Sequence, residues 1–164
     1  WETFDLVDWV SFLLPDGSIR EIPGTDLEVG YRYCREAYDG IALRAKLKSE
    51  GRSDHRAIRK VIDKLASQRR ATQPREASAG CIFRNPDDES AGLLIDQAGL
   101  KGEREGAAVV SDLHANFIIN EGGASAEEVI SLIKRVRERV KESKGMMLEP
   151  EVDILGHSWE EFLS

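Results

Sequence analysis

The apolar positions fall into short alternating runs in the first third of the chain and into helical stripes after it. Residues 10–14 are an apolar run, Pro15, Asp16 and Gly17 break it, and residues 19–22 resume it, which predicts a β-hairpin. A lone hairpin is marginal in water and needs more sheet to lie on. Residues 41–47 supply it: Ile41, Leu43, Ala45 and Leu47 point one way and Arg44, Lys46 and Lys48 the other, the pattern of a half-buried strand. From residue 53 to 70 the period lengthens. Ile58, Val61, Ile62 and Leu65 share a helical face, Ser53 or Asp54 serves as N-cap, and Arg69, Arg70 and then Pro74 close the helix.

Further on, Asp87, Asp88, Glu89 and Ser90 lead into a short helix over residues 91–98, stopped by Gly99. Strands follow at residues 107–110 and 117–120. The clearest element is a helix over residues 126–144, with Ser125 and Glu128 as a capping box, Val129, Ile133, Val136 and Val140 as the buried stripe, and Gly145 as the stop. Val152 and Ile154 alternate into a closing strand, and Trp159 and Phe162 in the tail are available to pack on the body.

Composition narrows the class. With 164 residues the chain holds one domain or two small lobes, and 32% charged with 7% aromatic residues is ordinary for a soluble protein. No apolar run nears the roughly 20 residues of a membrane span, and the abrupt opening at Trp1 does not read as a signal peptide. A net charge of -7 argues against nucleic acid, and the basic residues of the last long helix, interleaved with glutamates, read as a solvated face. Cys34 and Cys81 are too few for a disulfide framework and lack zinc-ligand spacing, so a reducing, cytoplasmic setting and no metal are expected.

The stretch with the most chemistry is SAGCIFRNP, Ser78 to Pro86. Small residues let the backbone approach a ligand and leave the Cys81 thiol unshielded, Asn85 offers an amide to a phosphate or carbonyl, and Pro86 ends the segment. Taken alone, such a cysteine is more often a small buried hydrophobe before a turn. Arg32, in the glycine-led loop GYR, presents a guanidinium suited to a carboxylate, although a single arginine is usually a surface residue. Glu149 and Glu151 flank Pro150, where surface acids are the ordinary reading, and His114 reads as a hydrogen-bonded structural residue.

Four words in register change the weighting: SAGCIFRNP, AGLLIDQAGLKGEREG, VSDLHANFIIN and LEPEV, from Ser78 to Val152, with GYR upstream. They resemble the flavin-dependent UDP-N-acetylenolpyruvoylglucosamine reductases (UDP-N-acetylmuramate dehydrogenases) of bacterial cell-wall synthesis, and the likeness covers nearly the whole chain. The resemblance implies an α+β fold: part of a second FAD-binding lobe, mainly antiparallel sheet with a helix, over residues 1–76; a small α+β substrate-binding domain over 77–150; and a closing strand returning to the first lobe, with a tail, over 151–164. It implies FAD as cofactor, NADPH as co-substrate and UDP-N-acetylglucosamine enolpyruvate as substrate. Arg32, Cys81 and Glu151 take the catalytic roles, Asn85, Gln73 and Glu121 contact the substrate, and Tyr31 and Gly80 contact the flavin.

The sequence departs from the family's pattern in places. Cys34 stands where serine is common, Gln73 where some members have lysine, Glu103 and Glu105 where an aromatic and an apolar residue are usual, and Asp153 in place of an arginine. The glycine-rich words of the first flavin lobe are not matched. The chain is therefore expected to begin inside the second lobe, to bind FAD weakly or not at all without the missing N-terminal flavin lobe, and not to turn over alone. The other class in play is a non-catalytic module that keeps a nucleotide-sugar site for binding or regulation; a retained proton donor at Cys81 weighs against it.

Overall fold

The computed structural model describes residues 2–49, 51–87 and 89–163. Trp1, where the chain opens, and Asp88 of the acidic run lie outside the described residues. The chain is α+β and divides into two compact units, Trp1–Ile58 and Arg59–Ser164.

In the first unit a 3-10 turn, Thr3–Leu6, leads into β1 (Val7–Leu13), which pairs antiparallel with β2 (Ile19–Pro23). The expected hairpin forms around a turn in which Asp16 Oδ1 accepts from the hydroxyl and the amide of Ser18 at 2.6 and 2.9 Å. Those bonds hold the Asp16 carboxyl below its usual range. After a second 3-10 turn, Gly24–Asp26, come β3 (Val29–Gly30), β4 (Tyr33–Cys34), α1 (Arg35–Asp39) and β5 (Ile41–Leu47). The strand order is β2-β1-β5, with β3 and β4 a separate ribbon. Val7, Val10, Phe12, Ile22 and Leu27 are buried together.

β5 has the expected bounds but not the expected burial: all seven of its residues are exposed. It is an edge strand, and its register against β1 shifts between Ser11 and Phe12, so Ala42 faces Phe12 and Ala45 faces Val10. That irregularity breaks the two-residue alternation, and with both faces of the strand exposed Ile41, Leu43 and Leu47 stand in solvent. The division between units falls inside α2 (His55–Thr72), whose stripe of Ile58, Val61, Ile62 and Leu65 is 45–57% exposed.

The second unit is built on β6 (Ser78–Cys81), β7 (Arg104–Glu105), β8 (Ala108–Val110) and β9 (Phe117–Asn120), antiparallel in the order β6-β9-β8-β7. α3 (Ala91–Gln97) and α4 (Ala126–Lys144) cover it, and α5 (Trp159–Leu163) ends the described chain. Leu94 and Ile95 of α3 and Leu132, Ile133, Val136 and Val140 of α4 join Val110, Ile118, Ile82, Phe83 and Leu148 in one core. Val129, placed on the buried stripe from sequence, packs only at its margin. The α4 caps form as expected: Ser125 Oγ accepts from the Glu128 amide, Glu128 Oε2 accepts from the Ser125 amide, and Gly145 takes φ 70°.

Two local expectations change, and one contact is new. Ser90 makes no side-chain cap for α3; Asn85 Oδ1 accepts from the Ala91 amide at 3.0 Å instead. Glu103 and Glu105 both accept from the Arg135 guanidinium of α4, Glu103 at 3.1 Å, so the two acids form a clamp on one cation. The hydrogen bonds it donates to Glu105 and then Glu103 push the Arg135 pKa up. Residues 152–154 form no strand; the described segment holds one bridge, Phe83 opposite Pro150, and Trp159 Nε1 then donates to Val152 O at 2.6 Å.

Candidate functional site

In the first unit, Arg32 sits at the tip of the β3–β4 hairpin, where Gly30 opposes Tyr33. Among the described non-glycine residues it alone has positive φ, 56°. Positive φ confined to the second central position of a two-residue turn normally calls for glycine, and a backbone held there by a larger residue stores strain of the kind found at functional positions. The guanidinium lies 5.8 Å from the centre of the Tyr31 ring, itself largely exposed. A groove of about 650 Å³ runs beside the tip, lined by Tyr31, Arg32, Tyr33, Cys34 and Tyr38, with Tyr33 and Tyr38 stacked at 5.6 Å. Cys34 is half-buried and its Sγ donates to Glu36 Oε2 at 3.5 Å.

In the second unit, Cys81 ends β6 opposite Phe117, after Gly80 at φ 87°. A Cβ on Gly80 would meet open space, so the backbone there is open to close approach. The next three residues are held on both flanks. On one, the Ile82 amide donates to Asn116 O at 2.9 Å, Phe83 N–H donates to Asn116 Oδ1 at 2.9 Å, and Asn116 Nδ2 donates to Phe83 O at 2.8 Å. On the other, the Glu151 amide donates to Ile82 O at 2.7 Å and the Arg84 amide to Glu149 O at 2.9 Å.

These last two bonds bracket the facing pair Phe83 and Pro150. Pro150 has no N–H to give, and Phe83, whose polar backbone groups are already used by Asn116, asks for none. The proline is thus compatible with its place. The outcome is that Glu151 and Cys81, 70 positions apart in the numbering, are joined through one intervening residue and one hydrogen bond. Cys81 and Glu151 are both half-buried.

The other candidates spread over the second unit. Gln73 is half-buried in a groove of about 430 Å³ that Arg70, Arg75, Ser111, Asp112 and Leu113 also line. Asn85 is exposed; with its oxygen on the α3 amide, its Nδ2 is the group it has for a ligand. Glu121, just past β9, accepts from Arg104 Nη2 at 2.9 Å, so its carboxylate already has a cation. His114 accepts the Asn116 amide on Nδ1 at 3.2 Å and packs edge-on to Phe117, a structural placement. Asn116, which reading the sequence did not single out, is 2% exposed and central to the arrangement. Among the described residues no group of His, Cys, Asp and Glu is placed to hold a metal, and no helix is long and apolar enough to cross a membrane.

Residues 73–155, which contain Cys81, Asn116 and Glu151, match the family described as UDP-N-acetylenolpyruvoylglucosamine reductase, C-terminal domain. The chain belongs to this family. It is 42% identical over 158 residues to the UDP-N-acetylenolpyruvoylglucosamine reductase of Alkalilimnicola ehrlichii, covering 96% of this chain and 53% of that protein. To the reductase of Halalkalibacterium halodurans it is 40% identical over 146 residues, 88% of this chain and 48% of that one. Its fold matches the crystal structure of the reductase (MurB) from Thermus caldophilus with a TM-score of 0.75 at 37% identity, covering 92% of this chain and 53% of that one. The chain thus spans about half the length of the family members it matches.

Proposed function

We propose that this chain is the C-terminal part of an FAD-dependent, NADPH-using reductase that converts UDP-N-acetylglucosamine enolpyruvate to UDP-N-acetylmuramate in peptidoglycan synthesis, and that it is inactive until the remaining part is supplied. The observation that carries the reading is the pair of backbone bonds around Phe83 and Pro150, which ties Glu151 to the segment bearing the Cys81 thiol. A nucleotide-sugar substrate and a chain with only two cysteines make the cytoplasm its setting in this reading.

The reaction adds hydride to one alkene carbon and a proton to its neighbour, and between the two events negative charge passes into the attached carboxylate. When bound, FAD supplies the hydride, having been reduced by NADPH. The residues of this chain that suit a flat ring are Tyr31, beside the aromatic groove, and Gly80, whose open Cβ side permits close approach. Cys81 gives its S–H proton to the carbon that gains the charge; the sulfur keeps the bonding pair and is reprotonated from water. An ordinary thiol is mostly protonated at neutral pH yet is a stronger acid than an alcohol, which suits a donor. Arg32 stabilises the developing enolate, and its planar fork matches a carboxylate. Glu151 completes the hydrogen-bonded surroundings of that carboxylate. Asn85 Nδ2 and Gln73, the latter with Arg70 and Arg75, serve the nucleotide diphosphate, and Glu121 the sugar.

Purified alone, the chain is expected to show no flavin absorbance band and no NADPH oxidation dependent on the enolpyruvyl substrate. Supplying the other half of a family member as a second polypeptide should restore turnover, and Cys81→Ala should then lower kcat by about 10²–10⁴, the range for a lost general acid. Turnover indifferent to that substitution would remove Cys81 from the mechanism. Nucleotide-sugar binding with no turnover in the reconstituted pair would favour a binding module instead.

A further inference from the structure

We infer that Asn116 is a positioning residue: its buried amide holds the backbone that fixes Cys81 against Glu151. The inference rests on the reductase reading for its functional meaning, but its geometry stands independently. Asn116 uses four polar groups within one short region. Its side-chain amide exchanges two hydrogen bonds with Phe83, at 2.9 and 2.8 Å, its carbonyl accepts from Ile82 at 2.9 Å, and its own N–H is taken by His114 Nδ1 at 3.2 Å. The amide thereby imitates a residue of a neighbouring strand, offering one acceptor and one donor to the same partner. Among natural side chains the match needs a planar group with an acceptor and a donor side by side. Asparagine supplies both, whereas an ionised aspartate supplies acceptors only.

Phe83 is 2% exposed, so its N–H and C=O have no recourse to water if Asn116 withdraws. The segment they belong to carries Cys81 directly before Ile82 and receives the Glu151 amide on Ile82 O. Loosening Phe83 therefore frees two things at once, the direction of the thiol and the bridged segment that brings Glu151 to it. The anchor lies 33 residues from Phe83, a separation at which no local turn propensity contributes. Gly92 closes the other side of the support: a Cβ there would stand 3.1 Å from His114 Cε1, so the ring that accepts the Asn116 backbone N–H is itself packed in place.

The test uses the intact chain and requires no turnover. In a Cys34→Ala background, which leaves Cys81 as the single thiol, Asn116→Ala should raise exchange of the Arg84 and Glu151 amides by at least about tenfold relative to the Val136 amide of α4, since both buried hydrogen bonds to Phe83 are lost. Neither amide touches the Asn116 side chain. The pH profile of Cys81 alkylation by iodoacetamide should move with it. Asn116→Asp should behave like the alanine variant at neutral pH and return toward the parent on acidification, because a protonated carboxyl again has one donor and one acceptor for Phe83. Should Asn116→Ala not fold, the aspartate variant compared across pH decides alone. Unchanged exchange at residues 84 and 151 relative to α4, or an unmoved thiol profile, overturns the assignment. A shifted profile in a reconstituted enzyme indifferent to Cys81→Ala would leave Asn116 as a positioning residue and remove the reductase role for the thiol.

Discussion

The two thiols of this chain have different neighbours. Burial first, and then the Glu36 carboxylate that takes its S–H, push the Cys34 thiol up from its usual pKa. Burial also works against the charge on Glu36, but the amides of Glu36 and Glu28 and the Cys34 thiol outweigh it and hold the carboxyl below its usual range. The signs follow from linkage. The raised thiol contributes stability that is complete below the unfolded thiol pKa and lost as pH rises through the folded one, whereas the lowered carboxyl contributes stability that is lost as pH falls through its folded value. With Cys81→Ala as background, the alkylation rate of Cys34 should climb only above the ordinary thiol midpoint of about 8.5. Glu36→Gln should bring that climb to lower pH without reaching the ordinary midpoint, since burial remains. A Cys34 profile centred on an ordinary thiol in the parent would contradict the described environment.

Among the elements, α4 was legible at both ends because its determinants are local: Ser125 and Glu128 lie three positions apart, and Gly145 ends the helix where its N–H reaches Lys141 O. Elements whose limits depend on distant partners were not. The α3 cap comes from Asn85 rather than from adjacent Ser90, and β5, whose register shifts against β1, is exposed on both faces. The α4 start also carries a contact that sequence does not disclose. Glu128 Oε2 accepts from the Ala107 amide at 3.4 Å as well as from Ser125, and its carboxylate fills the place a Cβ on Gly106 would take, where φ is 54°. Ser125→Ala should cost about 1 kcal/mol, an ordinary cap loss. Gly106→Ala should cost about 2 kcal/mol, since it adds left-handed strain and displaces the carboxylate from both donors. Denaturant unfolding followed on the second unit reads both; a Gly106→Ala variant as stable as the parent would refute the coupling of the β7–β8 turn to the helix start.

For the whole molecule, words of sequence marked Cys81 and Glu151 as candidates, whereas the backbone support that joins their segments was illegible, as at Asn116, whose partner is 33 residues away. The same contrast between local and distant support separates the two units. Among the described residues, fifteen buried apolar side chains form the core of the second unit and five that of the first. The first unit also leaves Ile41, Leu43 and Leu47 of its edge strand in water. Buried apolar area is the main favourable term in folding, and a core of five cannot offset the ordering of some fifty residues by the margin that fifteen provide for the second unit. The two should therefore open separately. Hydrogen exchange of the isolated chain should show α4, β8 and β9 protected at the level of global unfolding, while β1, β2 and β5 exchange through a lower-energy opening. In the reading proposed here, supplying the other half of the reductase raises protection in β5 more than in α4. Equal protection across β1 and α4 in the isolated chain would show a single cooperative unit and defeat this division.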